Sequence, residues 1–278
     1  MQHLARPFRT VLYVPGDNVR AIEKARDLPC DAVVFDLEDA VPLEEKVNAR
    51  AAVLAALSIG VFRAPTLLVR LNGLDTRWGR DDLAAMSAAP ARLSGLVIPK
   101  VVTPLDLRQP VDFVERSGAP LTLWPMIETC GALFSLLQIA QAPYVGGMIL
   151  GLNDLGAEMG AQSGPDRAPF QAAMSMTVAA ARAAGVRAID GVFNALEDPD
   201  GLEAEARQAR SFGFDGKSLI HPNQIALCAR AFSPTPEERV AAERMIAAYG
   251  AGNGGAVRLD GKMIEKMHVE AARRMLGD

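Results

Sequence analysis

Ala32-Val33-Val34-Phe35-Asp36-Leu37-Glu38-Asp39 (residues 32–39) is an apolar run that closes among three carboxylates. Its apolar residues are consecutive, whereas a strand with one wet face would alternate. Such a run suits a parallel strand buried on both faces. Seven more runs of this kind occur, at residues 10–15, 66–72, 96–101, 121–129, 147–154, 188–193 and 216–221. Alanine-rich stretches lie between them. Residues 49–57 place Val53, Leu54 and Leu57 at helical spacing, and residues 170–184 and 201–212 each run up to a glycine stop. Strand–helix alternation repeated eight times predicts an α/β fold, a (β/α)₈ TIM barrel. A doubly wound sheet is the other candidate, but no GxGxxG follows the first strand.

The pattern changes after residue 232. Pro234 and Pro236 break the chain, and residues 237–249 read as one more helix. A glycine-rich stretch follows at 250–255, then an Asp260-Gly261 turn signal and a last helix over 266–276. We therefore divide the chain into a barrel catalytic domain, 1–232, and a C-terminal helical lid or oligomer arm, 233–278.

Composition narrows the function classes. The chain has 278 residues, half of them hydrophobic, which suffices for one large core. The formal net charge is −4 and no basic stripe stands out, so nucleic acid is not an expected partner. Residues 1–10 are polar, broken by Pro7, and have no signal-peptide core. No apolar run is long enough to predict a membrane span. Three widely spaced cysteines without a CxxC pair suit a reducing cytoplasm.

In a (β/α)₈ barrel the C-terminal strand ends form the active-site face. Those ends carry Asp36, Glu38 and Asp39, then Arg70 and Asn72, Lys100, Glu128, Asn153 and Asp154, and His221. Glu128 and Asp154 fall on consecutive strands, which lie about 4.8 Å apart. They could converge on one divalent cation of the Mg²⁺ kind, or each could cap a following helix. Arg70 could hold a carboxylate or carbonyl oxygen, or pair with Asp36 or Glu38. Lys100 could form a Schiff base or pair with a mouth carboxylate, and Lys217 is open to the same two readings. Cys130 has no nearby histidine to activate it, and His221 reads as a hydrogen-bonding residue at a strand end.

Several motifs now stand in order: Arg9-Thr10-Val11-Leu12-Tyr13-Val14-Pro15-Gly16, Asp36-Leu37-Glu38-Asp39-Ala40-Val41, Val69-Arg70-Leu71-Asn72 and Ile98-Pro99-Lys100-Val101. Pro125-Met126-Ile127-Glu128-Thr129, Gly151-Leu152-Asn153-Asp154-Leu155 and Phe214-Asp215-Gly216-Lys217-Ser218-Leu219-Ile220-His221-Pro222 complete the set. Together they resemble the HpcH/HpaI aldolase family, in its citrate lyase β-subunit-like branch of malyl-CoA and citramalyl-CoA lyases. The resemblance implies Mg²⁺ held by Glu128 and Asp154, and substrate contacts from Arg9 and Arg70. It implies a small acyl-CoA substrate cut to acetyl-CoA and glyoxylate or pyruvate. It also implies a homotrimer or larger assembly whose C-terminal segment lies over a neighbour's site. Asp36, Arg70 and Glu265 become the candidate catalytic residues. Two departures accompany it: Arg9-Thr10 stands for the usual Arg-Ser, and Met263-Ile264-Glu265 for a lid Met-Ile-Asp. Two alternatives remain: a citryl-thioester lyase subunit working with an acyl carrier protein, and a non-catalytic thioester-binding homologue.

Overall fold

The computed structural model describes residues 7–59, 61–89, 92–162, 164, 166–252 and 255–276. Eight parallel strands close into a barrel in chain order: β1 (Thr10–Pro15), β2 (Ala32–Asp36), β3 (Thr66–Arg70), β4 (Gly95–Ile98), β5 (Thr122–Ile127), β6 (Gly147–Leu150), β7 (Arg187–Asp190) and β8 (Gly216–Leu219). β1 pairs with both β2 and β8, which closes the ring and excludes the doubly wound alternative.

Each strand is buried on both faces for a visible reason. Side chains alternate between two packed layers. Val11, Ala32, Val34, Leu68, Val97, Trp124, Met126, Ile149 and Ile189 fill the barrel interior. Their neighbours Leu12, Val33, Phe35, Leu67, Val69 and Leu96 pack outward among helical residues such as Val53, Leu57, Ala206 and Ala209. Phe8 plugs the N-terminal end by stacking on Trp124, with ring centroids 5.0 Å apart. The same period of two carries the interior series upward: 32, 34 and then Asp36; 68 and then Arg70; 124, 126 and then Glu128. Alternation thus aims these three polar residues at the C-terminal mouth.

The strands are shorter at their C-terminal ends than the apolar runs suggest. β2 stops at Asp36, β5 at Ile127 and β6 at Leu150, so Glu38 and Glu128 sit on loops beyond the ladder and Asp154 lies past it too. Asn153 and Asp154 belong to a helix, Leu152–Met159, which begins after Gly151. Thr129 caps the short helix Cys130–Leu133, and Gly151, with no side chain to offer, is the N-cap of the other. The two carboxylates are therefore not the caps.

Beyond the barrel, helix Pro236–Gly250 opens with a capping box from Thr235 and Glu238 and packs on helix Lys266–Leu276. Between them, β9 (Val257–Leu259) and β10 (Lys262–Ile264) form the hairpin announced by Asp-Gly, with φ of 48° at Asp260 and 80° at Gly261. Two positive φ values are what this tight hairpin turn demands. Asn253 and Gly254 of the glycine-rich stretch, and residues 1–6 of the polar N-terminus, lie outside the described residues. No helix among the described residues is long and apolar enough to cross a membrane.

Candidate active site

A cavity of about 340 Å³ occupies the mouth of the barrel. Asp36, Asp39, Arg70, Glu128 and Asp154 line it, with Tyr13, Met126, Ile149, Asn194 and Ser218. With Asn153, six of the residues expected at the strand ends thus meet in one place.

Arg70 is the most constrained of them. Asp36 and Arg70 face each other as a rung of the β2–β3 ladder. Asp36 takes two hydrogen bonds from the guanidinium, one of them 2.7 Å from Nε to Oδ1. Nη1 lies 2.8 Å from Glu38 Oε2 and 3.3 Å from Asp39 Oδ2. The ring of Tyr13 lies beneath, 5.3 Å from Cζ. Burial pulls the Arg70 pKa down, but its carboxylate partners outweigh that and hold it well above its ordinary value. The ion-pair reading of Arg70 is borne out. Asp36 has both oxygens engaged by Arg70, so within the resting protein it orients the guanidinium.

Glu38 is the strained member. Its burial raises the carboxyl to about 8 from 4.5; Arg70 opposes this, and the charges of Asp39, Glu128 and Asp36 add to it. Its Oε2 is close to Arg70, yet it is not aligned for a hydrogen bond. The folded chain keeps a proton on Glu38 that the unfolded chain releases above about pH 4.5, so this group's contribution to stability falls as pH rises towards about 8. Glu38→Gln should therefore melt progressively higher than the parent as pH is raised across that window, and the difference should level off above it. Scanning calorimetry across pH checks this; a difference independent of pH would show an ordinary carboxylate.

Glu128 is 1% exposed. Its Oε1 accepts the Lys100 backbone N–H at 2.7 Å, while Oε2 is buried with no partner. Burial pushes the carboxyl above its ordinary value, with Lys100 opposing. Gly151 leaves the room: a Cβ there would stand 2.8 Å from Oε2. Lys100, at a left-handed φ of 55°, pairs its ammonium with Asp154 Oδ1 and keeps it 3.6 Å from Glu128 Oε1. Burial pulls the Lys100 pKa down, but the Asp154 hydrogen bond and the two carboxylate charges raise it on balance. A firmly protonated lysine is a poor Schiff-base nucleophile, and the ion-pair reading of Lys100 stands.

The pair fits a hard cation. The site offers two carboxylates on adjacent walls, one orphaned buried oxygen and a positive charge already lodged between them. Glu128 and Asp154 are the residues that would hold Mg²⁺, whose oxygen-only ligand preference their carboxylates suit.

Other expected residues do not join the cluster. Arg9 precedes β1 and stands at the N-terminal end of the barrel, about 20 Å of strand from the mouth. Its backbone N–H goes to Asp31, and Thr10 exchanges hydrogen bonds with the same aspartate. The expected substrate contact from Arg9 is thus corrected: the motif arginine and hydroxyl lie on the face opposite the cavity. Glu265 is exposed at the end of β10, outside the cavity wall, where its backbone N–H goes to His268. His221 is exposed and accepts the Asn223 N–H at 3.2 Å, the bland reading expected of it. Tyr13 and Ser218 were passed over among the motif residues. Register was their signal: Val11 faces Ser218 across β1–β8, and Tyr13 repeats the inward position of Val11.

Comparison with known proteins agrees with this architecture. Residues 9–222 match the HpcH/HpaI aldolase/citrate lyase family. A (3S)-malyl-CoA thioesterase of Cereibacter sphaeroides (strain KD131) is 44% identical over 280 residues, covering 99% of this chain and 96% of that protein. The citrate lyase subunit beta of Escherichia coli (strain K12) is 34% identical over 286 residues, covering 99% and 94%. The crystal structure of CitE from Mycobacterium tuberculosis with magnesium, acetoacetate and coenzyme A aligns at a TM-score of 0.83, with 28% identity over 98% of both chains. With a closed eight-stranded barrel and a family match from Arg9 to Pro222, this chain belongs to the HpcH/HpaI aldolase/citrate lyase family.

Proposed function

We propose that the chain is a Mg²⁺-dependent carbon–carbon lyase that cuts a 3-hydroxyacyl-CoA thioester such as malyl-CoA or citramalyl-CoA into acetyl-CoA and glyoxylate or pyruvate. The observation that carries this reading is the orphaned Glu128 Oε2 beside Asp154 in a cavity that also presents a fixed arginine. When bound, the ion would lower the pKa of the substrate hydroxyl and hold its carboxylate. Asp36 fixes Arg70, whose guanidinium, lining the cavity, stabilises charge on the thioester oxygen as the carbon–carbon bond breaks. Glu265 supplies the proton to the acetyl carbon from a neighbouring protomer's arm (residues 233–278) in a homotrimer or larger assembly. All three cysteines are free, in keeping with a cytoplasmic protein.

A second reading is favoured by the 44% identical relative, whose name is thioesterase: hydrolysis of the thioester without carbon–carbon cleavage. Incubating each acyl-CoA with the protein, with Mg²⁺ and with EDTA, separates the two. The lyase releases 2-oxo acid and no free thiol. The thioesterase releases thiol and no 2-oxo acid. Activity that survives EDTA would remove the metal, and full activity in Glu265→Gln would remove the lid acid. Co-purification with carrier-protein subunits would favour the citrate lyase subunit reading, which the Escherichia coli relative suggests.

A further inference from the structure

Among the described residues, six buried side-chain polar atoms have no hydrogen-bond partner, and three of them, Tyr13 Oη, Glu128 Oε2 and Ser218 Oγ, belong to residues that line the mouth cavity. Leaving a buried polar group unpaired costs about 1–3 kcal/mol, so such atoms are few and call for a reason. The proposed cation accounts for Glu128 Oε2. It does not account for the two hydroxyls. Those stand on adjacent strands, β1 and β8, on the same inward face. In a closed ring of eight, β1 lies opposite β5 and β8 opposite β4, so the hydroxyls face the wall that carries Glu128.

Both hydroxyls are held in place by the fold. Ser218 is 1% exposed inside a strand. The Tyr13 ring lies against the Arg70 guanidinium, which Asp36 holds by two hydrogen bonds. Burial keeps Tyr13 a neutral phenol despite the pull of Arg70. Neutral donors suit this place: Asp36, Asp39, Glu128 and Asp154 already bring negative charge, and a hydroxyl can hold an anionic oxygen without adding more.

We infer that Tyr13 Oη and Ser218 Oγ are a pair of hydrogen-bond donors for the carboxylate of the hydroxy- or oxo-acid end of the substrate, on the wall facing Glu128. The inference rests on the reading proposed above. It assigns the small acid two anchors: one ionic, at Glu128 and Asp154, and one of neutral hydroxyls, on β1 and β8. A ligand completes both orphans when it binds, so the cost of keeping them unpaired is recovered only with substrate present.

The test uses the full chain with Mg²⁺, and measures glyoxylate and pyruvate binding by calorimetry for the parent, Tyr13→Phe, Ser218→Ala and the double variant. Each single change should weaken acid binding by about tenfold or more. The thermal midpoint without ligand should stay level or rise, because an unpaired buried hydroxyl has gone. Unchanged acid affinity in both single variants would overturn the inference and leave the lyase reading intact. A lowered midpoint with unchanged affinity would overturn it too, by giving the hydroxyls a structural role. A parent protein that binds neither acid would remove the lyase reading and this inference with it.

Discussion

Glu128→Gln is expected to lower turnover by roughly a thousandfold or more while leaving the fold intact. The amide has the shape of the carboxylate, fits the space that Gly151 leaves, and can still accept the Lys100 backbone N–H. It brings no charge and one fewer acceptor to a hard cation. A metal contributes several kcal/mol to a transition state that develops charge, and about 4 kcal/mol is a thousandfold in rate. Mg²⁺ titration by calorimetry should show binding lost in parallel. Stability should not fall, since burial already disfavours the charged form of this residue. Turnover close to the parent would dismiss Glu128 as a ligand.

Lys217→Met should cost about 3–5 kcal/mol of stability, because it breaks a buried ion network from one side. Lys217 is fully buried, and so is Asp190, its rung partner across β7–β8. Its ammonium reaches Asp190 Oδ2 at 2.7 Å, Glu205 Oε1 at 2.6 Å and the Gly191 carbonyl at 2.8 Å. Arg167 binds the same two carboxylates. Two cations and two anions balance; without Lys217, one anion is left over in the layer between barrel and helices. A fall in the urea midpoint at unchanged slope measures the loss. A loss under about 1 kcal/mol would mean that the remaining arginine suffices. Ser218 faces the barrel interior, so its neighbour Lys217 faces the helices. That direction, away from the cavity, removes Lys217 from Schiff-base chemistry.

The strands were legible because burial on both faces writes itself as consecutive apolar residues, and all eight runs became strands. Their upper ends were not. Nothing in residues 147–154 says that pairing stops at Leu150 and that a helix starts two residues later. The mouth residues on β2, β3 and β5 were legible through the period of two, which carries the interior face up to Asp36, Arg70 and Glu128. Arg9 was misread because a motif gives no direction along the strand: it shares a motif with Pro15 yet sits at the other end of β1. Tyr13 and Ser218 were missed because an unpaired hydroxyl is a property of three-dimensional neighbours. Glu265 depends on where the C-terminal segment lies in an assembly, which one chain's sequence does not encode locally.

The Asp36–Arg70 rung has an evolutionary consequence. The arginine is aimed across two neighbouring strands by its two hydrogen bonds to Asp36, with Glu38 and Asp39 of the following loop adding contacts to one nitrogen. Part of the cavity wall, Leu152 and Asn153 after β6 and Val192 and Asn194 after β7, rides on the connecting segments. Such segments tolerate insertion and substitution far better than a closed ladder does. A descendant of this chain can therefore lengthen or reshape them to admit a bulkier ligand and inherit the arginine already in position. Novel selectivity becomes a change of rim, made on an unaltered frame.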